Sequence, residues 1–159
     1  MKKFLLLGSL LLVAALAMTI GVQTFASMGP GYHAGDIAKD FHLKNVDGKM
    51  VSLSDFKEAK GFIVVFTCNH CPVAKLYEDR VLALDKEFAP QGYPVIAVNP
   101  TDPDFYADDT YAKMVTTAKD HHYSYPYLVD AGQQITKLYG ATNTPHVFVL
   151  NKENGKLVV

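Results

Sequence analysis

Cys68 and Cys71 are the chain's two cysteines, set at C-x-x-C spacing with Asn69 and His70 between them and Pro72 directly after. Two thiols so placed form a disulfide and release it again by thiolate attack through a mixed disulfide. That chemistry needs one thiol to ionise readily. N–H groups in the first turn of a helix lack backbone partners and sit at the positive end of the helix dipole. A thiolate held there has its pKa lowered from ~8.5, the free-cysteine value. Cys68 is expected at that helix mouth as the nucleophile, with Cys71 one turn in to resolve the mixed disulfide. As a cation, His70 stabilises a neighbouring thiolate, favours the reduced form and makes the pair more oxidising. Pro72 falls in the first turn, where a missing N–H costs least.

The neighbouring sequence supplies elements that would hold this geometry. Phe62 to Phe66 is an unbroken apolar run, the pattern of a buried strand, continued through Thr67. From Pro72 the period changes: Val73, Leu76, Tyr77, Val81, Leu84 and Phe88 recur every three or four residues, predicting a helix over 72–88. Pro90, Gly92 and Pro94 end it, and Val95–Val98 forms a second apolar strand. Two such strands joined by a helix make a βαβ unit, hence a parallel pair.

Upstream, Asp40 to Asp55 reads as a β-hairpin. Phe41 and Leu43 alternate with polar residues, Asp47-Gly48 is a tight-turn signal, and Val51 and Leu53 alternate again. Downstream, a polar loop from Asn99 leads to a helix capped by Asp108 or Asp109, with Tyr111, Met114, Val115 and Ala118 inward. A strand at Tyr127–Val129, a helix from Gly132 to Tyr139, a strand at Val147–Leu150 and a last strand from Lys156 follow.

With these residues in view, the chain resembles the thioredoxin-like superfamily. More closely, it is similar to its redoxin branch (AhpC/TSA-like and TlpA-like), and within that to bacterial proteins with an Asn-His-Cys-Pro motif. The resemblance spans about residues 36 to 158. Tyr77-Glu78-Asp79-Arg80, Val98-Asn99-Pro100, Tyr106-Ala107-Asp108-Asp109, Pro126-Tyr127-Leu128-Val129-Asp130, Leu138-Tyr139-Gly140-Ala141 and Thr144-Pro145 follow the cysteines in that group's order. It implies an α/β, three-layer fold: a mixed central sheet flanked by helices, with an N-terminal β-hairpin extension. It also implies that Pro145 is a cis-proline packed against the cysteines, so that Thr144, Pro145 and Pro72 shape a substrate groove. A thioredoxin-like fold closes with a further helix over one sheet face. The sequence ends at Val159 within its last strand, so that C-terminal helix is expected to be missing, by truncation or by departure from the family, and truncation is the favoured reading.

The chain has 159 residues, enough for one domain. Lys2 and Lys3 precede an uncharged run from Phe4 to Val22, and Thr24-Phe25-Ala26 offers small residues for cleavage. Residues 1–26 therefore read as a secretory signal peptide, 27–35 as a flexible Gly-, Pro- and His-containing leader, and 36–159 as the domain. The other reading of the first segment is an uncleaved membrane anchor, since the run barely reaches spanning length. Without Lys2 and Lys3, 13 of the 15 basic residues remain against 16 acidic ones. That mild acidity, with no basic stripe, argues against a nucleic-acid partner. Export to the periplasm or another extracytoplasmic space places the thiols where disulfides form readily.

The expected function is that of an exported thiol–disulfide oxidoreductase. Its partners would be protein thiols and disulfides and an unidentified electron donor or acceptor, with no cofactor. Three alternatives use the same cysteines. One is a structural disulfide. Another is a copper or zinc carrier, since thiolates and imidazole suit those ions and His33, His42, His121, His122 and His146 add donors, although no zinc signature is complete. The third is a thiol peroxidase. The peroxiredoxin pattern wants a threonine three residues before its cysteine, whereas Thr67 lies one before Cys68 and four before Cys71. Two further departures from the resemblance stand out. Phe62 occupies the place of thioredoxin's buried acid, so proton handling must differ or rely on water. Asn143 stands where related proteins often carry a third cysteine.

Overall fold

A computed structural model describes residues 30–159. The predicted signal segment and the start of the leader lie outside the described residues. Eight strands form one sheet: β1 (Ile37–Ala38), β2 (His42–Asn45), β3 (Met50–Ser52), β4 (Gly61–Phe66), β5 (Val95–Asn99), β6 (Tyr127–Val129), β7 (His146–Glu153) and β8 (Lys156–Val158). Three α-helices are described, α1 (Pro72–Phe88), α2 (Tyr111–Asp120) and α3 (Gln134–Tyr139). The strand order is β1-β8-β7-β4-β5-β6-β2-β3. β4, β5 and β6 run parallel, and the other pairings are antiparallel. The sheet is therefore mixed. The predicted hairpin is β2–β3, with Gly48 at φ 87 in its turn, and it joins the sheet through β6.

β4 is buried along its whole length, and its side chains alternate between two cores. Phe62, Val64 and Phe66 face a cluster with Ile96, Val98, Leu128, Phe148, Leu150 and Tyr139, closed by Leu53, Phe41 and α3. Ile63 and Val65 face the other cluster, with Val95, Ala97, Tyr127, Val81 and Met114 under α1 and α2. Each fully buried side chain of this size contributes about 1.5–3 kcal/mol, so β4 is the main anchor of both layers. Its first residue is glycine because a Cβ on Gly61 would lie 2.1 Å from the Leu150 carbonyl oxygen and 2.4 Å from the Tyr93 ring.

α1 has the predicted limits, but its early apolar residues do not face inward. Val73, Leu76 and Tyr77 are exposed, whereas Ala74, Val81 and Asp85 are buried. Asp85 is satisfied there by the Val95 N–H at 3.0 Å and the Ser124 hydroxyl at 2.6 Å. In α2, Met114 is buried, whereas Val115, predicted inward, is exposed. α3 starts later than predicted, with Asp130 accepting the N–H groups of Gln134 and Thr136.

The described part of the leader is tied down rather than free. Tyr32 donates its N–H to the Tyr139 carbonyl at 3.0 Å and packs edge-on against the Tyr139 ring, and Gly35 N–H reaches the Val159 carbonyl at 2.8 Å. On the face that carries α1 and α2, the part of the sheet at β7 is left open. Val147 and Val149 alternate with buried Phe148 and Leu150, and with Ile63, Leu84, Phe88 and Tyr93 they line an apolar groove of about 590 Å³. Among the described residues no helix is long and apolar enough to cross a membrane.

Candidate active site

The C-x-x-C turn leaves the end of the central strand and enters α1. Thr67 N–H makes the last rung to the Val98 carbonyl at 2.9 Å, and the chain then turns through Cys68, Asn69 and His70. Helical geometry begins at Pro72, so Cys71 is the N-cap, with φ −69 and ψ 120. Both cysteines are free thiols, Cys68 buried and Cys71 half-buried.

This placement corrects the expected electrostatics. Cys68 was predicted at the helix mouth with a lowered pKa. Instead it lies three residues before the N-cap with 5 % of its surface exposed. Burial pushes its thiol above the ordinary cysteine value, the nearby Asp109 carboxylate adds to this, and a hydrogen bond from Thr144 opposes it. Cys71 holds the favoured position. No N–H closes a strict capping hydrogen bond on its sulfur. The Ala74 N–H nonetheless acts on it most strongly, followed by the Thr144 hydroxyl, and the thiol is held below its ordinary value.

Thr144 links the pair. Its Oγ1 lies 3.3 Å from Cys68 Sγ, and its carbonyl oxygen accepts from Cys71 Sγ at 3.7 Å. The Thr144–Pro145 peptide bond is cis, and β7 begins at the next residue. Pro72 is the first helical residue, beside Cys71.

His70 is held on two sides. Its Nδ1 bonds the Asp109 carboxylate, and its ring stacks on Tyr106 with centroids 3.9 Å apart. Asp109, whose side chain is 0 % exposed, also accepts the Asn69 backbone N–H at 2.6 Å and the Asn99 side-chain N–H at 2.8 Å. Asn99 also donates to the Tyr127 hydroxyl, which donates in turn to Asn69 Oδ1, both at 3.0 Å. Among the described residues every buried side-chain nitrogen and oxygen has a partner. Phe62, at the place of the missing acid, sits in the apolar core. The acid near the thiols is Asp109: single donor atoms of Cys68, His70 and Asp109 lie within 4.8 Å of one another. Asp109 oxygens are engaged by Asn69, Asn99 and His70, which makes the cluster a hydrogen-bonded network.

Sequence reasoning missed Asp109, Asn69, Asn99 and Tyr127. Asp109 was read as a possible helix cap. The N-cap of α2 is Thr110, without a side-chain capping bond. Four of the five remaining histidines have partners of their own: His33 with Asp36, His42 with Ser52, His121 with Glu78, and His146 stacked on Phe148. A cleft of about 440 Å³ beside Cys68 and Asn69 runs past Lys75, Glu78 and Tyr123.

A dithiol at the junction of a central parallel strand and a helix, faced by a cis-proline loop, defines a redoxin of the thioredoxin-like fold. The chain belongs to the AhpC/TSA family, whose model matches residues 34–158. It is 29% identical over 149 residues to the thiol-disulfide oxidoreductase ResA of Bacillus subtilis, covering 94% of this chain and 78% of that protein. Among solved structures it is similar to an uncharacterized conserved protein from Geobacillus kaustophilus. That likeness has a TM-score of 0.74 at 32% identity and covers 79% of this chain and 67% of the other. The exposed lipoprotein thioredoxin Etrx1 of Streptococcus pneumoniae superposes with a TM-score of 0.61 at 29% identity, covering 76% and 87% of the two chains.

Proposed function

We propose that the protein is an exported thiol–disulfide oxidoreductase that exchanges disulfides with the cysteines of other proteins through Cys68 and Cys71. The observation that carries this reading is that both free thiols contact one residue, Thr144, at the mouth of α1. Similarity to ResA proteins, named as thiol-disulfide oxidoreductases, supports it. His70 is proposed to act on the thiols from its seat between Asp109 and Tyr106. Thr144, Pro145 and Pro72 are proposed to form the groove that receives the partner's backbone. Val73 and Leu76, exposed in the first turns of α1, suit a protein surface as substrate. Export rests on the residues 1–26 signal pattern and accords with the exposed lipoprotein among the similar structures.

Equilibration of the purified protein with glutathione buffers tests the activity. A potential between about −270 and −120 mV, the range spanned by catalytic dithiols, is expected. A pair below about −300 mV, beyond the reach of glutathione, would be a structural disulfide and would overturn the reading. The mass of the protein recovered from an exporting cell tests the cleavage. The expected amino terminus is Ser27, and an intact Met1 end would indicate an anchor instead.

A further inference from the structure

We infer that the loop between β5 and α2 selects the partner polypeptide: Phe105 covers an apolar side chain of the partner, and Asp102 and Asp104 favour positive charge beside it. The inference rests on the exchange activity proposed above and concerns which polypeptides that site accepts.

Three observations carry it. The first is exposure. Phe105 has 81 % of its surface open, more than any other large apolar residue among the described ones, and Tyr106 beside it has 49 %. Both stand next to the cysteines, because the Tyr106 ring stacks on His70 between them. Val73 and Leu76 follow the same turn on α1, so the loop extends an apolar surface already at the site. The second is rigidity. The N–H groups of Phe105 and Tyr106 both meet the Asp102 carbonyl, at 3.1 and 3.3 Å, and Asp104 N–H meets the Asp102 carboxylate at 3.0 Å. Thr101 N–H is held by Asn99 Oδ1 at 2.9 Å, and Asp109 anchors the far end in the buried network. An aromatic side chain presented on a braced loop loses little conformational freedom when it is covered.

The third is charge. From Asn99 to Ala112 the chain carries four aspartates and no lysine or arginine. Asp109 is buried, and Asp108 shares its cleft with Lys75 and Lys113. Asp102 and Asp104 take part in no ion pair among the described residues, which leaves their negative charge uncompensated just before Phe105. Charge at the rim of a contact steers encounter and rejects like-charged partners. The occupant this favours is a polypeptide segment with an apolar side chain and a lysine or arginine near its cysteine. An acidic segment, or one with nothing to cover Phe105, is a poorer partner.

Short fluorescent peptides with serine in place of the reacting cysteine, titrated into the purified protein and read by anisotropy, test the selection. One carries leucine and lysine beside the serine, a second has glycine for the leucine, and a third has glutamate for the lysine. The first should bind at least about tenfold tighter than either of the others. Phe105→Ser should cut the preference for leucine to below about twofold, and Phe105→Leu should keep most of it. Asp102→Asn combined with Asp104→Asn, or salt at about 1 M, should remove the preference for lysine and leave that for leucine. Each preference is a ratio within one protein, so a general loss of stability does not imitate it. Absent binding, equal binding of the three peptides, or preferences unchanged in the variants overturns the inference. No thiol reacts in this assay, so failure of the exchange reading shows in the glutathione equilibration and not here.

Discussion

The backbone N–H of Asn69 donates to Oδ1 of Asp109 across 2.6 Å, tying the loop between the two cysteines to a carboxylate 40 positions further along. That carboxylate also holds Asn99 and His70. Asp109→Ala would leave several buried donors without an acceptor, at an expected cost of about 3–5 kcal/mol. Asp109→Asn keeps one oxygen and should cost less. Denaturant midpoints measure both. A loss of about 1 kcal/mol for the alanine variant would fit a mere helix cap and contradict the network.

The two thiols should titrate apart. Cys71 is held below the ordinary cysteine value and Cys68 above it. In the Cys68→Ser variant, Cys71 remains, and its depressed folded pKa stabilises the protein above the unfolded value of ~8.5. That stability is lost as pH falls through the folded pKa. In Cys71→Ser the sign reverses. The raised pKa of Cys68 gives stability that is full below ~8.5 and lost as pH rises beyond it. Unfolding of the reduced variants across pH should show the two opposite slopes, and matching slopes would refute the assignment.

Thr144→Val removes the hydroxyl and keeps the shape. The hydrogen bond from Thr144 lowers both thiols. The pH midpoint of alkylation should therefore rise for each cysteine, with a stability loss of about 1 kcal/mol. Unchanged midpoints would show that the hydroxyl does not act on the sulfurs.

Tyr123, Tyr125, Tyr127 and Tyr139 are all held above the ordinary tyrosine value, chiefly by burial. The unfolded chain ionises its phenols near pH ~10, whereas the folded chain resists. Stability from these groups is full below that value and is lost as pH climbs above it. Phenolate absorbance and helical circular dichroism should change together in one alkaline step. Ionisation of these phenols in a chain that is still folded would contradict their burial.

Gly61→Ala tests the tightest approach in the sheet. Its methyl would lie 2.1 Å from the Leu150 carbonyl oxygen. Strand β4 or β7 must shift, at a cost of about 1–3 kcal/mol, visible as a lower melting temperature. An unchanged melting temperature would show that the strands give way freely.

Local patterns carried most of the fold. The unbroken apolar run at Phe62–Phe66 became the central strand, and periodicity with Pro72 gave α1 its observed limits. The tight turn at Asp47-Gly48 gave the β2–β3 hairpin. The pairing of β1 with β8 was not legible, because two or three residues at opposite ends of the domain carry no periodic signal. The site was legible where its residues adjoin in sequence: Cys68, His70, Cys71 and Pro72. The Asp109 network was not, because an acidic residue just before a helix reads first as a cap. Its partners at Asn69 and Asn99 are specified by strand pairing, not by spacing. The thiol electrostatics were misjudged for a related reason. A shift of the helix start by three residues moves the favoured position from one cysteine to the other.

Thr144 meets the cysteines from 76 positions further along the chain. A polypeptide delivered amino end first therefore presents both sulfurs before the residue that contacts them both has emerged. During that interval the pair lacks the wall that Thr144 provides. With two cysteines in the whole chain, one internal disulfide is open to it. Premature oxidation within the chain thus yields the same bond the finished protein would make. The hazard of biogenesis is confined to bonding with another molecule, and a low cysteine count spares this protein the internal shuffling that cysteine-rich chains undergo.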